Sequence, residues 1–124
     1  MQYDTLEFKV RDGVAYITLN RPRAGNSINL EMGRELLHAA LRCDEDPDIR
    51  AVVLSGSGNS FCFGGDLKEF SEQGEYLPRL LKELTVYLHA AISRMVRMDP
   101  PVVAAVHGAA AGGGFSLAIS CGLV

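Results

Sequence analysis

Two valine-rich apolar runs, each followed by a glycine-rich segment, constrain most strongly what this chain can fold into. The runs are IRAVVLSG at residues 49–56 and VVAAV at residues 102–106. Neither alternates with polar residues, and such runs are typical of strands covered on both faces of a parallel sheet. Residues 76–98 between them carry apolar side chains at helical spacing, as a crossover helix would. The sequence therefore predicts an α/β fold with both glycine-rich loops at the same edge of the sheet.

The remaining elements follow from local signals. LEFKV and VAYITLN are separated by residues 11–13, Arg-Asp-Gly, and read as a β-hairpin. Asn29 is placed to cap a helix whose apolar residues lie on one face. Shorter helices are predicted at residues 66–70 and 115–120. CGLV at residues 121–124 looks like the opening of a further strand.

Composition excludes several classes of function. The chain has 124 residues, enough for one domain, and a net charge of −3, so it has no basic field for nucleic acid. Its cysteines, Cys43, Cys62 and Cys121, are far apart, which predicts neither disulfides nor a metal site. Cys62 and Cys121 are expected to be small core residues. The opening residues MQYDTLEFKV resemble no signal peptide, and no apolar run is long enough for a membrane span. A cytoplasmic location is expected.

The glycine triplet at residues 112–114 has four possible explanations. A phosphate-binding P-loop requires a lysine next, where this chain has Phe115. A nucleophile elbow centred on Ser116 requires a later acid and histidine, and neither follows. Close packing of helix against strand remains open. So does a site where unpaired N–H groups at the start of a helix meet a ligand oxygen.

The second glycine-rich loop favours the last explanation. SFCFGGDLKEF also runs from a strand through glycines into a short helix, and it exposes the amide of Gly65. Ligands of open α/β sheets bind at the carboxyl ends of the strands. Two N–H groups that converge there on one oxygen form an oxyanion hole, in which each donor contributes about 2.7–4 kcal/mol to transition-state stabilisation.

Three segments together resemble the crotonase superfamily of enoyl-CoA hydratases and isomerases. They are NRPRAGNSIN, FCFGGDLKEF and HGAAAGGGFSLAISC, in this order and at matching intervals. The resemblance implies a crotonase-like fold of repeated ββα units, of the ClpP/crotonase type. It implies a coenzyme A thioester as substrate, with no separate cofactor, and a homo-oligomer, usually a trimer or hexamer.

By motif position, the resemblance also implies a set of site residues. Gly65 and Gly113 would supply the oxyanion-hole N–H groups. The adenine and pantetheine side of the ligand would be lined by Arg23, Ala24, Asn26, Gly64, Asp66 and Leu67. Arg21 and Arg23 would lie near the nucleotide phosphates, the alternative being that they are solvated loop charges.

The sequence departs from the family pattern at Ser116. The hydratases carry a glutamate there, and serine without a partner is no general base at neutral pH. Double-bond isomerisation is therefore favoured over hydration. Four other residues are weaker candidates for the base, each with a structural alternative such as helix capping, spacing or burial: Asp66, Glu69, His107 and Cys62.

Length is the second departure, because the family's chains are considerably longer. Residues 1–124 are expected to be the N-terminal part of a single domain, truncated at the C-terminus, and to self-associate through exposed apolar surface. The sequence thus predicts an acyl-CoA-processing enzyme that stabilises a thioester enolate. A non-catalytic acyl-CoA-binding or assembly module, or an inactive fragment, is the alternative.

Overall fold

The computed structural model describes residues 2–124, which form a four-stranded sheet and four α-helices. In chain order the elements are β1 (Leu6–Arg11), β2 (Val14–Leu19), α1 (Leu30–Glu45), β3 (Ala51–Gly56), α2 (Leu67–Ser71), α3 (Leu77–Arg97), β4 (Val102–Ala105) and α4 (Gly113–Ile119). Short 3-10 turns at Pro22–Ala24 and Gly74–Tyr76 precede α1 and α3. The predicted α/β class is confirmed.

The sheet has the strand order β1-β2-β3-β4. β1 and β2 form the predicted antiparallel hairpin, with Leu6 opposite Leu19. Asp12 and Gly13 in its turn have φ angles of 53° and 79°, as a type I′ turn requires. The other two pairings, β2 with β3 and β3 with β4, are parallel. The loops that follow β3 and β4 therefore leave the same edge.

The two long helices pack against each other. α1 begins after Asn29, whose side chain accepts a hydrogen bond of 2.8 Å from the Met32 amide, so the predicted cap is confirmed. Gly33 on α1 faces α3 so closely that a Cβ there would lie 2.8 Å from Leu84 Cδ1. No helix among residues 2–124 is both long and apolar enough to cross a membrane.

One prediction about the sheet is wrong. The sequence predicts that β3 and β4 are covered on both faces, yet only alternate residues are fully buried, Val52 and Leu54 in β3 and Val102 and Ala104 in β4. The residues between them, such as Val53 and Val103, are half-exposed. The buried residues share a face with Ile17 of β2 and pack into the core beside α1 and α3. Within the described residues the opposite face is only partly shielded.

The C-terminal region shows a second difference. The last helix begins at Gly113, two residues before the predicted start. Beyond it, Leu123 pairs with β4 in a parallel bridge, with the Ala104 amide donating to its carbonyl at 2.8 Å. The predicted strand opening at residues 121–124 therefore lies beside the sheet as a single bridge.

Candidate active site

The two glycine-rich loops meet at the carboxyl edge of the sheet. Cys62 in the loop after β3 forms a parallel bridge with Ala110 in the loop after β4. The Cys62 amide donates to the Ala109 carbonyl at 3.1 Å, and the Ala111 amide donates to the Cys62 carbonyl at 3.0 Å. The loops are therefore joined by main-chain hydrogen bonds, as their common position in the sheet predicts.

The closest approach of the loops involves Gly64. Its φ is 101°, and a Cβ there would lie 2.9 Å from the Ala111 carbonyl oxygen and 3.4 Å from the Gly113 nitrogen. A side chain at this position would therefore collide with the other loop. The bare backbone of Gly64 lets Gly65 and Gly113 lie on neighbouring segments.

The direction of the Gly65 N–H is set by hydrogen bonds on either side of it. The Gly64 carbonyl accepts from the Ile28 amide at 2.6 Å, and the Asp66 amide donates to the Ile28 carbonyl at 3.0 Å. Because N–H and C=O point in opposite directions in a trans peptide, the Gly65 N–H is directed away from Ile28. It donates to no other group in residues 2–124.

The glycines of the triplet meet different requirements. Gly112 has φ 52° and ψ −126°, a conformation that essentially only glycine adopts. At Gly114 a Cβ would overlap the carbonyl oxygen of Cys62. Gly113 is constrained in neither way, since its Cβ would lie an ordinary 3.5 Å from Ile28 Cδ1. Backbone conformation therefore explains glycine at position 112 and packing explains it at position 114, whereas neither explains Gly113.

The amide of Gly113 is also unpaired. It is the first residue of α4, and its N–H donates to no other group in the part of the chain that the structure describes. The next amide, that of Gly114, is already bonded to the Ala111 carbonyl at 2.9 Å. Each loop therefore leaves one main-chain donor without a partner among residues 2–124, at the position singled out by the sequence.

A cavity of about 480 Å³ opens beside Gly65. Its lining residues are Arg21, Arg23, Ala24, Ser27, Phe63, Gly65, Asp66, Leu67 and Lys68. Most of the residues predicted on the adenine and pantetheine side are therefore gathered around one hollow. Gly64 and Asn26 are not part of its lining.

The side chain of Asn26 instead holds the loop in shape. It is fully buried, and its amide group donates to the carbonyls of Ser57 and Ser60 at 2.8 and 2.9 Å. Its oxygen accepts from the Arg21 amide at 2.7 Å. Asn26 also has a positive φ of 54°, which asparagine tolerates better than most residues. Its side chain has no free group for a ligand.

The two arginines of the loop have different surroundings. Arg21 is half-buried and pairs with Asp66, with Nη2 and Oδ2 2.9 Å apart. Arg23 is exposed and forms no ion pair within residues 2–124, and neither does the exposed Lys68 on the same cavity. Of the predicted phosphate contacts, Arg23 therefore has its charge available, whereas the charge of Arg21 is already neutralised.

Asp66 is held in its ionised form. Burial alone would raise its pKa, but the amide of Glu69 and the guanidinium of Arg21 outweigh burial and lower it. One carboxylate oxygen accepts from the Glu69 amide at 3.1 Å and so caps α2. A carboxylate with a lowered pKa and this many donors is a weak proton acceptor.

The other candidate bases are also engaged. Glu69 accepts from the Leu30 amide at 3.0 Å, and His107 Nε2 lies 2.6 Å from the carbonyl oxygen of Gly58. Cys62 is fully buried, and burial raises the pKa of its thiol. Ser116 lies exposed on α4. Sequence reasoning missed Ile28, because it acts through its main chain and no side-chain signal marks such a residue.

Three carboxylates elsewhere lie close enough to share a cation, namely Asp4, Glu31 and Glu35. The oxygens of Glu35 already accept from the amides of Asp4 and Thr5 and from the Thr5 hydroxyl. This cluster therefore serves to anchor the segment before β1.

The chain is similar to proteins of one known family. The family model described as enoyl-CoA hydratase/isomerase matches residues 9–124. A protein of Rhodobacter capsulatus named as a probable enoyl-CoA hydratase is 40% identical over 124 residues, which cover 100% of this chain and 46% of that protein. The (E)-benzylidenesuccinyl-CoA hydratase of Thauera aromatica is 40% identical over 122 residues, which cover 96% of this chain and 44% of that hydratase.

Solved structures agree with the sequence relatives. The crystal structure of an enoyl-CoA hydratase of Mycobacterium smegmatis superimposes with a TM-score of 0.87 at 36% identity. The match covers 97% of this chain and 46% of that one. The chain spans about half the length of the curated relatives it matches.

Proposed function

The chain belongs to the enoyl-CoA hydratase/isomerase family, and from that membership we propose that it forms the acyl-CoA-binding, enolate-stabilising part of such an enzyme. One observation carries the proposal. The loops after β3 and β4 are hydrogen-bonded together and each leaves one glycine amide, at Gly65 and Gly113, without a partner among residues 2–124. The cavity of about 480 Å³ lies beside the first of these amides.

Two such donors suit the chemistry of a thioester. When a proton leaves the carbon next to the thioester carbonyl, the negative charge moves onto the carbonyl oxygen. Fixed main-chain N–H groups stabilise that charge without a cation and without reorganising during the reaction. In this proposal Gly65 and Gly113 donate to the thioester oxygen, and the acyl chain extends from it.

The cavity provides for the rest of the ligand. Arg23 and Lys68 bring two unneutralised cations to its rim, a fitting charge for the phosphates of coenzyme A. Ala24 and the 77% exposed Leu67 offer apolar surface to the pantetheine and adenine. Coenzyme A enters as part of the substrate, and no further cofactor is proposed.

Ser116 favours one of the reactions of the family over the other. Addition of water needs a base to activate the water, and a serine hydroxyl with no basic partner does not provide one. Isomerisation also needs a base, which takes a proton from one carbon of the acyl chain and returns it to another across the stabilised enolate, but it activates no water and so does not require a glutamate at position 116. We propose double-bond isomerisation, with residues 1–124 acting as the N-terminal part of one domain in a cytoplasmic homo-oligomer.

Two substrates separate the possible reactions. The chain is incubated with crotonyl-CoA, which reports hydration, and with a 3-enoyl-CoA, which reports migration of the double bond into conjugation. We expect the 3-enoyl thioester to be converted faster than crotonyl-CoA. The conversion is measured by the ultraviolet absorbance of the conjugated product. Faster loss of crotonyl-CoA would contradict isomerisation. Saturable acyl-CoA binding with no turnover of either substrate would favour a binding module.

A further inference from the structure

The main chain of Ile28 forms hydrogen bonds on both sides of the peptide that carries the Gly65 amide. It bonds to the Gly64 carbonyl on one side and to the Asp66 amide on the other, at 2.6 and 3.0 Å. In a planar peptide the position of the carbonyl fixes the direction of the N–H. A small displacement of Ile28 relative to Asp66 would therefore turn the Gly65 N–H.

One side chain, that of Arg21, bonds to both of the segments that these hydrogen bonds join. Nη1 of Arg21 donates to the carbonyl of Ser27, the residue before Ile28, at 2.7 Å. Nη2 of the same guanidinium donates to Oδ2 of Asp66, the residue after Gly65, at 2.9 Å. The side chains of Arg21 and Asp66 are 23% and 12% exposed, so solvent screens the ion pair only partly.

From this arrangement we infer that Arg21 and Asp66 are positioning residues for the Gly65 amide. Their ion pair fixes the distance between the Ser27–Ile28 segment and the Gly65–Asp66 segment, and thereby the direction in which the amide points. The inference rests on the proposed oxyanion role of Gly65. It assigns to Arg21 and Asp66 an action through Gly65, with no contact to the reacting atoms.

Asp66→Asn isolates the ion pair from the other task of this residue. The amide oxygen of asparagine can still accept from the Glu69 amide and cap α2, whereas the charge that holds Arg21 is lost. Asp44→Asn is the matched control. Asp44 also pairs with an arginine, Arg94, at 3.1 Å, but on the exposed surfaces of α1 and α3.

The readout is the carbonyl stretching frequency of a bound acyl-CoA labelled with ¹³C at the thioester carbon. Hydrogen bonds from an oxyanion hole lower this frequency, and a purely structural role of the ion pair would not change it in the bound, folded protein. In the unaltered chain we expect a shift to lower frequency on binding. Asp66→Asn is expected to remove about half of that shift, and Asp44→Asn none.

Binding and folding are measured on the same samples. Circular dichroism checks the fold, and titration gives the dissociation constant, so the frequency is recorded at saturation. Arg21→Gln is a second variant that breaks the same ion pair from the other side, and it decides the question if Asp66→Asn does not fold. An unchanged shift in the folded variants would overturn the inference alone. Saturable binding without any shift in the unaltered chain would overturn the proposed function, and the inference with it.

Discussion

At Gly112 the backbone conformation itself demands glycine, whereas at Gly114 the demand comes from contact with Cys62. Gly113 between them has room for a methyl group, and alanine is in general a better helix former than glycine. Packing does not account for glycine at this position. The unhindered main-chain donor that we propose at Gly113 would account for it.

Replacement of Gly113 by proline tests that donor directly. Proline lacks the N–H but is favoured at the first position of a helix, so α4 is expected to form. Loss of one oxyanion donor is expected to lower the rate of 3-enoyl-CoA isomerisation by about 10²–10³-fold. Gly113→Ala keeps the N–H and adds one methyl group. The ratio of the two rates, measured by absorbance, isolates the contribution of the N–H, and equal rates would contradict it.

Single residues were predictable where a local rule applies to them. Asn29 as a cap and the Asp12-Gly13 turn follow from near neighbours in the sequence, and both are confirmed. The ion pair between Arg21 and Asp66 was not foreseen, because 45 residues separate its partners and only the folded sheet brings them together. The early start of α4 was missed because glycine is a poor helix former.

Among the elements, the segment before β1 is attached to α1 by a buried carboxylate. Glu35 is 1% exposed, and its oxygens accept from the Thr5 amide at 2.8 Å and the Asp4 amide at 3.0 Å. Burial alone would raise its pKa, but these donors and the Thr5 hydroxyl outweigh burial and lower it. The ionised form is therefore the one that holds the segment in place.

Glu35→Gln is expected to lower the free energy of unfolding by about 1–3 kcal/mol at pH 7. The NH₂ group of glutamine would face the main-chain N–H donors that the carboxylate now accepts from, so some of these hydrogen bonds would be lost. The lowered pKa means that the carboxylate stabilises fully above its unfolded value of about 4.3 and loses this effect as the pH falls through the folded value. Urea titrations at pH 7 and pH 3 should therefore differ less for the variant than for the unaltered chain. Glu45→Gln, an exposed change on the same helix, is the control.

Glu31 next to Glu35 has the opposite dependence on pH. Its hydrogen bond with Glu35 raises its pKa, so its contribution is present at low pH and is lost as the pH rises through the folded value. Glu31→Gln in the same titrations should therefore steepen the loss of stability on acidification. An unchanged difference between pH 7 and pH 3 in both glutamine variants would show that the cluster does not titrate as described.

For the elements, helical periodicity predicted α3 almost to its ends because 21 residues repeat the pattern. The short strands were placed well, but their surroundings were not. A run such as AVVL is compatible with one covered face or with two, since apolar side chains appear on both in either case. Which face is shielded depends on elements far away in the chain.

At the scale of the whole molecule, the half-exposed face of the sheet is an apolar surface that the described residues leave partly uncovered. Tyr16, Val53 and Val103 lie side by side on it, one from each of β2, β3 and β4. Phe115 and Ile119 on α4 are more than half exposed. Apolar side chains that lie together at a surface, as the three from the strands do, mark contact sites between proteins.

We expect the chain to self-associate through this face, and analytical ultracentrifugation over a range of concentrations would measure the association. Val53→Lys places a charge on the face and should shift the population toward monomer. Val86→Lys makes the same change at a 64% exposed position on α3 and serves as the control. A chain that stays monomeric at every concentration, or an equal effect of both variants, would contradict the prediction.

The hydrogen bond between the Gly64 carbonyl and the Ile28 amide has an electronic consequence. A carbonyl that accepts a strong hydrogen bond withdraws electron density along its peptide unit, so the proton at the other end becomes more acidic. Gly64 and Gly65 share that unit, and its carbonyl is held at 2.6 Å. An oxygen that binds to the Gly65 proton is therefore connected through this peptide unit to the Ile28 amide. Negative charge that builds up on the oxygen would polarise both hydrogen bonds, as far as the segment that leads into α1.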